Sequence, residues 1–176
     1  MNVPGLGEVT KDERFGLYYS LPCRLAVLNE IECRVVLEGY DEDPHKADYH
    51  EAISNLLSAT PSVLKEAEGF IYQYYQDVAG YYPEDDKEFP RIASAGEIWA
   101  HIQLGNEPMV SRRGYGNLGV YVSLECNCDW EREHGLQIVL KEGKKVCKVG
   151  PYDGHLTNSD AFADERLEHV VYRRLA

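Results

Sequence analysis

Residues that could hold a metal ion or support hydrolysis are concentrated between Leu124 and Asn158. The carboxylates and imidazoles of this stretch are ligands that suit a divalent cation. An ion held there with one open coordination position could activate a water molecule, as in a metal-dependent hydrolase. The candidate metal ligands are Asp129, Glu131, His134, Asp153 and His155. This alternative hypothesis requires the turn that carries the last two ligands to fold back onto the strand that carries the first.

The cysteines of this stretch have the sequence context of core residues. From Val120 to Trp130, side chains alternate strictly between two faces, which is typical of a half-buried strand. Cys126 and Cys128 fall on the apolar face, where a free thiol behaves as a small hydrophobic group. A structural zinc site usually has two closely spaced pairs of ligands, whereas this chain offers Cys-x-Cys once. We therefore predict that both thiols are buried rather than bound to zinc.

The opposite face of the predicted strand begins with Tyr121 and Ser123 and continues with acidic side chains. We expect this face to be solvated, which is normal for the outward side of a half-buried strand. On this interpretation the acidic residues form a surface that binds another protein, and none of them is catalytic. The predicted binding residues are Glu125, Asp129, Glu131, Glu133, His134, Asp153 and His155. A third interpretation is that Glu131, Glu133 and His134 only stabilise a tight turn, so that His134→Ala would lower stability without altering binding.

Catalytic and nucleotide-binding motifs are incomplete in this chain. It has no Gly-x-Ser-x-Gly elbow, no Walker loop and no His-Glu-x-x-His helix. Cys23, Cys33 and Cys147 have no neighbouring base that the sequence identifies. We therefore predict a non-enzymatic protein without a cofactor.

The charge of the chain restricts its partners. Thirty acidic residues against 18 basic residues give a net charge of −12 at pH 7. This charge repels phosphate backbones and anionic membrane surfaces, so neither a nucleic acid nor a membrane is an expected partner. The adjacent arginines at positions 112–113 and 173–174 are too few for a nucleic-acid-binding surface. A basic protein is the expected partner, because opposite charge accelerates its encounter with an acidic surface.

Length and cysteine content predict one domain in a reducing compartment. A chain of 176 residues can form a single domain, residues 1–176, whose core is stable without disulfides. Five cysteines without regular spacing indicate reduced thiols. The first residues do not resemble a signal peptide, and no apolar stretch is long enough to cross a membrane. We therefore expect a cytoplasmic protein.

Hydrophobic periodicity predicts an α+β fold, in which a mainly antiparallel sheet has two to three helices inserted between N-terminal and C-terminal strands. Strands are predicted over residues 15–21, 25–28, 32–37, 109–113, 118–130, 136–141 and 145–149. Helices are predicted from Asp43-Pro44 to Ser58 and from Thr60-Pro61 to Gly80, with a short third helix after a capping box at Ser94 and Glu97. Gly80 is expected to end its helix in a left-handed conformation. Residues 81–90 are too polar for a core and are predicted to be a surface connection.

The last third of the chain resembles a bacterial family of unknown function. Members of that family share a closing segment similar to C-x-W-E-x-E-H-G-L, followed by a hairpin and D-G-H. The matching residues here are Cys128, Trp130, Glu131, Glu133, His134, Gly135 and Leu136, then Asp153, Gly154 and His155. No activity, cofactor or catalytic residue comes with this resemblance. Small acidic bacterial proteins of this kind resemble members of toxin and immunity neighbourhoods, which implies an immunity-type protein that binds a basic toxin.

Overall fold

The computed structural model describes residues 1–174, which form a sheet with helices and loops on both of its faces. The strands are β1 (Asn2–Val3), β2 (Gly7–Asp12), β3 (Leu17–Ser20), β4 (Cys23–Arg24), β5 (Glu32–Cys33), β6 (Val36–Glu38), β7 (Ile102–Gln103), β8 (Met109–Arg112), β9 (Val120–Cys128), β10 (Glu131–Lys141) and β11 (Lys145–Gly150). The α-helices are α1 (Lys46–Ser58), α2 (Pro61–Lys65), α3 (Glu68–Ala79) and α4 (Asn158–Phe162). Short 3-10 helices span Ala26–Leu28, Ala95–His101 and Glu165–Leu167.

One large sheet organises the described chain. Its strand order is β1-β2-β3-β6-β8-β9-β10-β11, and β7 pairs with β9 beside this path. The pairing is antiparallel except between β6 and β8, which are parallel. The helices α1 to α3 form the long connection that a parallel pair requires. Strands β4 and β5 form a separate two-stranded sheet. The predicted α+β class with a mainly antiparallel sheet is confirmed. The helices inserted between the N-terminal and C-terminal strands are α1, α2, α3 and the 3-10 helix Ala95–His101, slightly more than the predicted two to three, and α4 follows β11.

Helices α1 and α3 cover one face of the sheet with apolar side chains. Their buried residues recur at steps of three and four, so they lie on one side of each helix. These residues are Tyr49, Ala52, Ile53 and Leu56 on α1, and Ile71, Tyr74, Tyr75 and Val78 on α3. Val122 and Leu124 of β9 and Ile138 of β10 belong to the same hydrophobic core.

The opposite face of β9 and β10 is covered by the segment that follows β11. Lys148 Nζ donates to the His155 carbonyl at 3.1 Å and Cys147 Sγ donates to the Leu156 carbonyl at 3.8 Å, which brings this segment over side chains of β11. Further along the chain, the backbone N–H of Val149 donates to the Val171 carbonyl at 2.7 Å along the edge of the sheet. Tyr121 and Ser123 are consequently 1% and 8% exposed, so the prediction of a solvated face is wrong for these two residues. Alternation within one strand cannot show whether a later segment covers the outward face.

Several of the predicted elements differ from the structure. The strand predicted over 32–37 is divided into β5 and β6, which belong to different sheets, and the strand predicted over 136–141 begins at Glu131. Residues 26–28 form a 3-10 turn instead of a strand, and this turn buries Val27 and Leu28 together, although they are consecutive. The helix predicted over 60–80 is divided into α2 and α3, because the N–H groups of Glu66 and Ala67 bond to carbonyls three residues back.

Two of the predicted caps also differ. Gly80 has φ of −62° and is not left-handed, so it continues the right-handed conformation of α3. The Ser94 hydroxyl donates to the Glu97 carboxylate at 3.0 Å instead of accepting from a backbone N–H, and the helix that follows is of the 3-10 type. No helix among residues 1–174 is both long enough and apolar enough to span a membrane.

Candidate functional site

Cys126 and Cys128 lie in the core, as predicted. They are 2% and 5% exposed and belong to the same hydrophobic core as Leu124. Burial raises the pKa of Cys126 to about 11 and the pKa of Cys128 to about 12. Both thiols are therefore protonated in the core, where they pack as small apolar groups.

The five candidate metal ligands lie in three separate clusters. The carboxylate–imidazole pairs are Asp129 Oδ2 with His101 Nδ1 at 3.0 Å, Glu131 Oε1 with His134 Nδ1 at 3.8 Å, and Asp153 Oδ1 with His155 Nδ1 at 3.3 Å. Within residues 1–174, no group of three or more His, Cys, Asp or Glu side chains is placed to hold a metal ion. The geometry therefore does not support the hypothesis of a metal-dependent hydrolase.

Glu131 stabilises the turn that contains its neighbours in sequence. Its Oε1 accepts hydrogen bonds from the backbone N–H groups of Glu133 at 2.9 Å and His134 at 3.3 Å. Gly135 follows with φ of +62°, and the register of β10 against β9 shifts between Glu131 and Leu136. The His134 side chain is 55% exposed, so the turn depends on the carboxylate of Glu131 rather than on the imidazole.

Asp153 and the backbone of His155 bind a buried lysine. Lys148 is 1% exposed, and its Nζ donates to Gln137 Oε1 at 2.7 Å, to the Asp153 carboxylate and to the His155 carbonyl at 3.1 Å. Gln137 in turn donates to Ser123 Oγ at 2.9 Å. Burial lowers the pKa of Lys148, and the Asp153 carboxylate opposes that effect. This network fixes the turn after β11 against the outer face of the sheet.

A surface cleft of about 920 Å³ opens beside this turn. It lies between the end of β8, the loop after it, the turn at Gly154 and the segment from α4 to Glu168. The ionisable residues that line it are Glu38, Arg112, Arg113, His155, Asp160, Asp164, Glu165 and Glu168. Five carboxylates therefore share the cleft with two guanidinium groups.

Arg113 is engaged by two of these carboxylates. Its side chain is 3% exposed, with Nε 2.7 Å from Asp160 Oδ2 and Nη1 2.6 Å from Glu168 Oε1. The hydrogen bonds to Glu168 and then to Asp160 raise the pKa of Arg113. Its positive charge is fully compensated within the protein.

Arg112 is engaged in the same way by residues near the start of α1. Its Nη1 lies 2.9 Å from Asp48 Oδ2, and its Nη2 donates to Asp43 Oδ1 at 3.1 Å. The hydrogen bond to Asp43 is the main cause of the raised pKa of Arg112. The charge that the cleft offers to a ligand is consequently negative.

The loop over residues 114–119 presents an aromatic side chain at the rim of the cleft. Asn117 Oδ1 anchors the loop, because it accepts hydrogen bonds from Tyr121 OH at 2.8 Å and Arg113 Nη1 at 3.4 Å. Gly116 has φ of +61°, which favours glycine. Tyr115 is 77% exposed and Leu118 is 57% exposed.

Part of the predicted binding surface adjoins the cleft. Burial raises the pKa of Tyr152, and the carboxylates of Glu125, Glu38 and Asp153 raise it further, which places all three carboxylates around this tyrosine. Glu38 also lines the cleft, as does His155. The predicted residues Asp129, Glu131, Glu133 and His134 lie around the turn between β9 and β10 instead.

Sequence reasoning missed the cleft itself. Arg113 meets Asp160 and Glu168 across 47 and 55 residues of sequence, a distance over which no local pattern predicts contact. The available signal was the glycine-rich loop after Arg113, which sequence analysis would treat as a connecting turn. An exposed tyrosine within such a loop is compatible with a recognition site.

Comparison with known proteins identifies a family but no activity. The family model described as a domain of unknown function, DUF6985, matches residues 5–156, which is most of the chain. No curated protein and no solved structure matches the chain.

Proposed function

We propose that this chain, which belongs to the DUF6985 family of unknown function, is a non-enzymatic module that binds a basic segment of another protein. The binding site is the cleft between the 114–119 loop and α4. The predicted acidic residue Glu125 extends this site along the outer face of the sheet, whereas the carboxylate of Asp153 is already bound to Lys148.

The charge of the cleft is the observation that carries the proposal. Of the five carboxylates that line it, Asp160 and Glu168 compensate Arg113, and Asp164 pairs with Arg166. Arg112 is compensated by Asp43 and Asp48, so within residues 1–174 Glu38 and Glu165 are the lining carboxylates that no ion pair neutralises. The cleft therefore attracts lysine and arginine side chains and repels phosphate groups. Glu38 and Glu165 are exposed, so an incoming cation can reach them without displacing a buried ion pair. The net charge of −12 extends this attraction beyond the cleft.

The apolar rim favours a protein partner over a small cation. Tyr115 and Leu118 are exposed on an anchored loop beside the carboxylates. Tyrosine is enriched among residues that contribute most to protein–protein binding, because it combines a large apolar area with a polar tip. A small cation would use the carboxylates and leave this apolar area in water.

A capture experiment tests the proposal. The tagged chain, immobilised at low ionic strength, should retain a basic protein from lysate of its native host. The double variant Glu38→Gln/Glu165→Gln should retain much less, because it removes two exposed carboxylates from the cleft. The matched control is Glu84→Gln/Glu88→Gln, which removes the same charge from an exposed connection outside the cleft.

The control variant should retain as much partner as the unaltered chain. A third variant, Glu125→Gln/Asp129→Asn, measures the contribution of the predicted strand face. Absence of any retained protein, or equal retention by the cleft variant and the control, would refute the proposal.

A specific form of this function is inhibition of a basic toxin. It is supported by the acidic charge and by the resemblance of the closing segment to small acidic bacterial proteins from toxin neighbourhoods. If an adjacent gene encodes a toxic basic protein, co-expression of this chain should restore growth, and the cleft variant should restore it less. Equal rescue by both chains, or no rescue, would count against the immunity-type role.

A further inference from the structure

Two cysteines face each other across the small sheet formed by β4 and β5. Cys23 and Cys33 are direct partners in this antiparallel pair, and their Sγ atoms are 3.7 Å apart. Opposite residues in antiparallel strands have Cα separations of about 4.5 to 5.5 Å, which lie within the range found for disulfides. A disulfide requires the sulfurs to approach to about 2 Å, which side-chain rotation can supply from this arrangement.

The two thiols differ in accessibility. Cys33 is 2% exposed, and its thiol donates to the Cys23 carbonyl at 3.5 Å. Burial, followed by the proximity of Cys23, raises the pKa of Cys33 to about 12. Cys23 is half-buried, so a small oxidant in solution can reach its sulfur first.

The segment between these cysteines has a conformation that a cross-link would stabilise. Asn29 and Glu30 are consecutive non-glycine residues with φ of 55° and 60°, a conformation that costs about 1 kcal/mol or more for each residue. The opposing contribution is burial of Val27 and Leu28, both 0% exposed, in the 3-10 turn that packs against α2. The hairpin is therefore held closed by side-chain burial and by the short β4–β5 pairing.

We propose that Cys23 and Cys33 are a reversible redox pair whose oxidation by a low-molecular-weight disulfide fixes the hairpin of residues 23–33 against α2. This device is independent of the acidic cleft.

The chemistry is two thiol–disulfide exchanges. The Cys23 thiolate attacks one sulfur of the small disulfide, whose S–S bond breaks, and one small thiolate leaves and takes up a proton. Cys33 then loses its proton to solvent and attacks Cys23 Sγ, which releases the second small thiol. Two protein thiols are oxidised to one disulfide, and one small disulfide is reduced to two thiols.

Titration with oxidised glutathione tests the proposal. The folded chain should lose the mass of two hydrogen atoms, and peptide mapping should locate one disulfide between Cys23 and Cys33. The melting temperature should rise by roughly 5 °C, because the cross-link restricts the unfolded chain. Backbone hydrogen exchange should slow within residues 24–32, and excess dithiothreitol should reverse each change.

Single variants separate the two steps. Cys33→Ser should stop at a glutathione adduct on Cys23, and Cys23→Ser should form neither an adduct nor a disulfide at Cys33. Cys147→Ser should behave as the unaltered chain, since the Cys147 thiol donates to the backbone carbonyls of Val139 and Leu156. A folded chain that stays reduced or ends as a stable adduct would overturn the proposal. A disulfide that changes neither melting temperature nor exchange would equally overturn it.

Discussion

Arg113 joins three parts of the molecule through one side chain. It follows β8, and its guanidinium binds Asp160 on α4 and Glu168 after the last 3-10 helix. Arg113→Met keeps an apolar stem but leaves both carboxylates without their cation. We expect the free energy of unfolding to fall by about 3 kcal/mol, because loss of one partner leaves a poorly solvated charge. Urea denaturation at pH 7 measures this change.

Arg166→Met is the control for this variant. Arg166 also pairs with a carboxylate, that of Asp164 at 2.7 Å, but its side chain is 89% exposed. Exposed ion pairs contribute little to stability, so the urea midpoint should not change measurably. Equal loss of stability in the two variants would contradict the role assigned to Arg113.

The two arginines at the end of β8, Arg112 and Arg113, make the stability of the fold depend on pH. Hydrogen bonds from Arg113 hold the pKa of Glu168 below its ordinary value of 4.5, and hydrogen bonds from Arg112 lower the pKa of Asp43. These carboxylates bind protons more readily in the unfolded chain, so acid favours unfolding. The ionised carboxylates of Glu168 and Asp43 stabilise the fold fully when the pH is well above their ordinary pKa values. This stabilisation is lost as the pH falls through their lowered pKa values in the folded protein.

We therefore expect the urea midpoint to fall as the pH decreases from about 5 to about 3. The fall should be smaller in Arg113→Met, which lacks one of the two cations. Parallel pH profiles for the two chains would exclude Arg113 as a cause.

Glu131 and His134 should differ in their effect on stability. Glu131→Ala removes the acceptor of two backbone hydrogen bonds and should lower the free energy of unfolding by about 1 kcal/mol. His134→Ala should have little effect, which revises the expectation that this histidine stabilises the turn. Thermal melts of both variants measure the difference, and a larger loss in His134→Ala would restore the original interpretation.

At the scale of elements, the turn between β10 and β11 packs against the backbone of α1. Gly143 has φ of +69°, and a Cβ atom there would collide with the Ala52 carbonyl oxygen. The neighbouring Glu142 carbonyl accepts a hydrogen bond from the Asn55 side chain at 2.8 Å. Gly143→Ala should lower the free energy of unfolding by about 3 kcal/mol, the sum of backbone strain and overpacking. Urea denaturation measures this loss.

Gly7→Ala isolates the backbone contribution. Gly7 has φ of +72°, and a Cβ atom added there would have no neighbour within 4 Å. The expected loss is about 1 kcal/mol from strain alone. Equal losses at both glycines would show that the contact between the turn and α1 does not contribute.

The elements that sequence predicted best are those with long periodic patterns. The apolar face from Val120 to Trp130 and the apolar stripe of α1 correspond to buried residues, because burial on one side imposes a regular period. The division between α2 and α3 and the 3-10 turn after Leu25 were not predictable in this way. Both depend on backbone hydrogen bonds to carbonyls three residues back, and such bonds form where they allow nearby side chains to be buried.

At the scale of the whole molecule, the fold class was predictable but the cleft was not. Patterning identified an antiparallel sheet with inserted helices, since each pattern reports burial within one element. The acidic character also followed from composition alone. The cleft requires the return of the chain after β11 across the sheet, which brings Asp160 and Glu168 to Arg113, and this return has no local signature.

Electrostatic attraction between an acidic cleft and a basic partner is the central claim about function. It makes association faster at low ionic strength, since salt screens charges over about 10 Å at 0.1 M. A partner bound mainly through apolar contacts would associate at a rate that depends little on salt.

Stopped-flow association of the chain with its captured partner, over a range of salt concentrations, tests this claim most directly. The rate constant should fall about tenfold or more between low and physiological salt. Glu38→Gln/Glu165→Gln should associate more slowly at low salt and show a weaker salt dependence, whereas Glu84→Gln/Glu88→Gln should match the unaltered chain. A rate that is independent of salt, or a cleft variant indistinguishable from the control, would contradict the account.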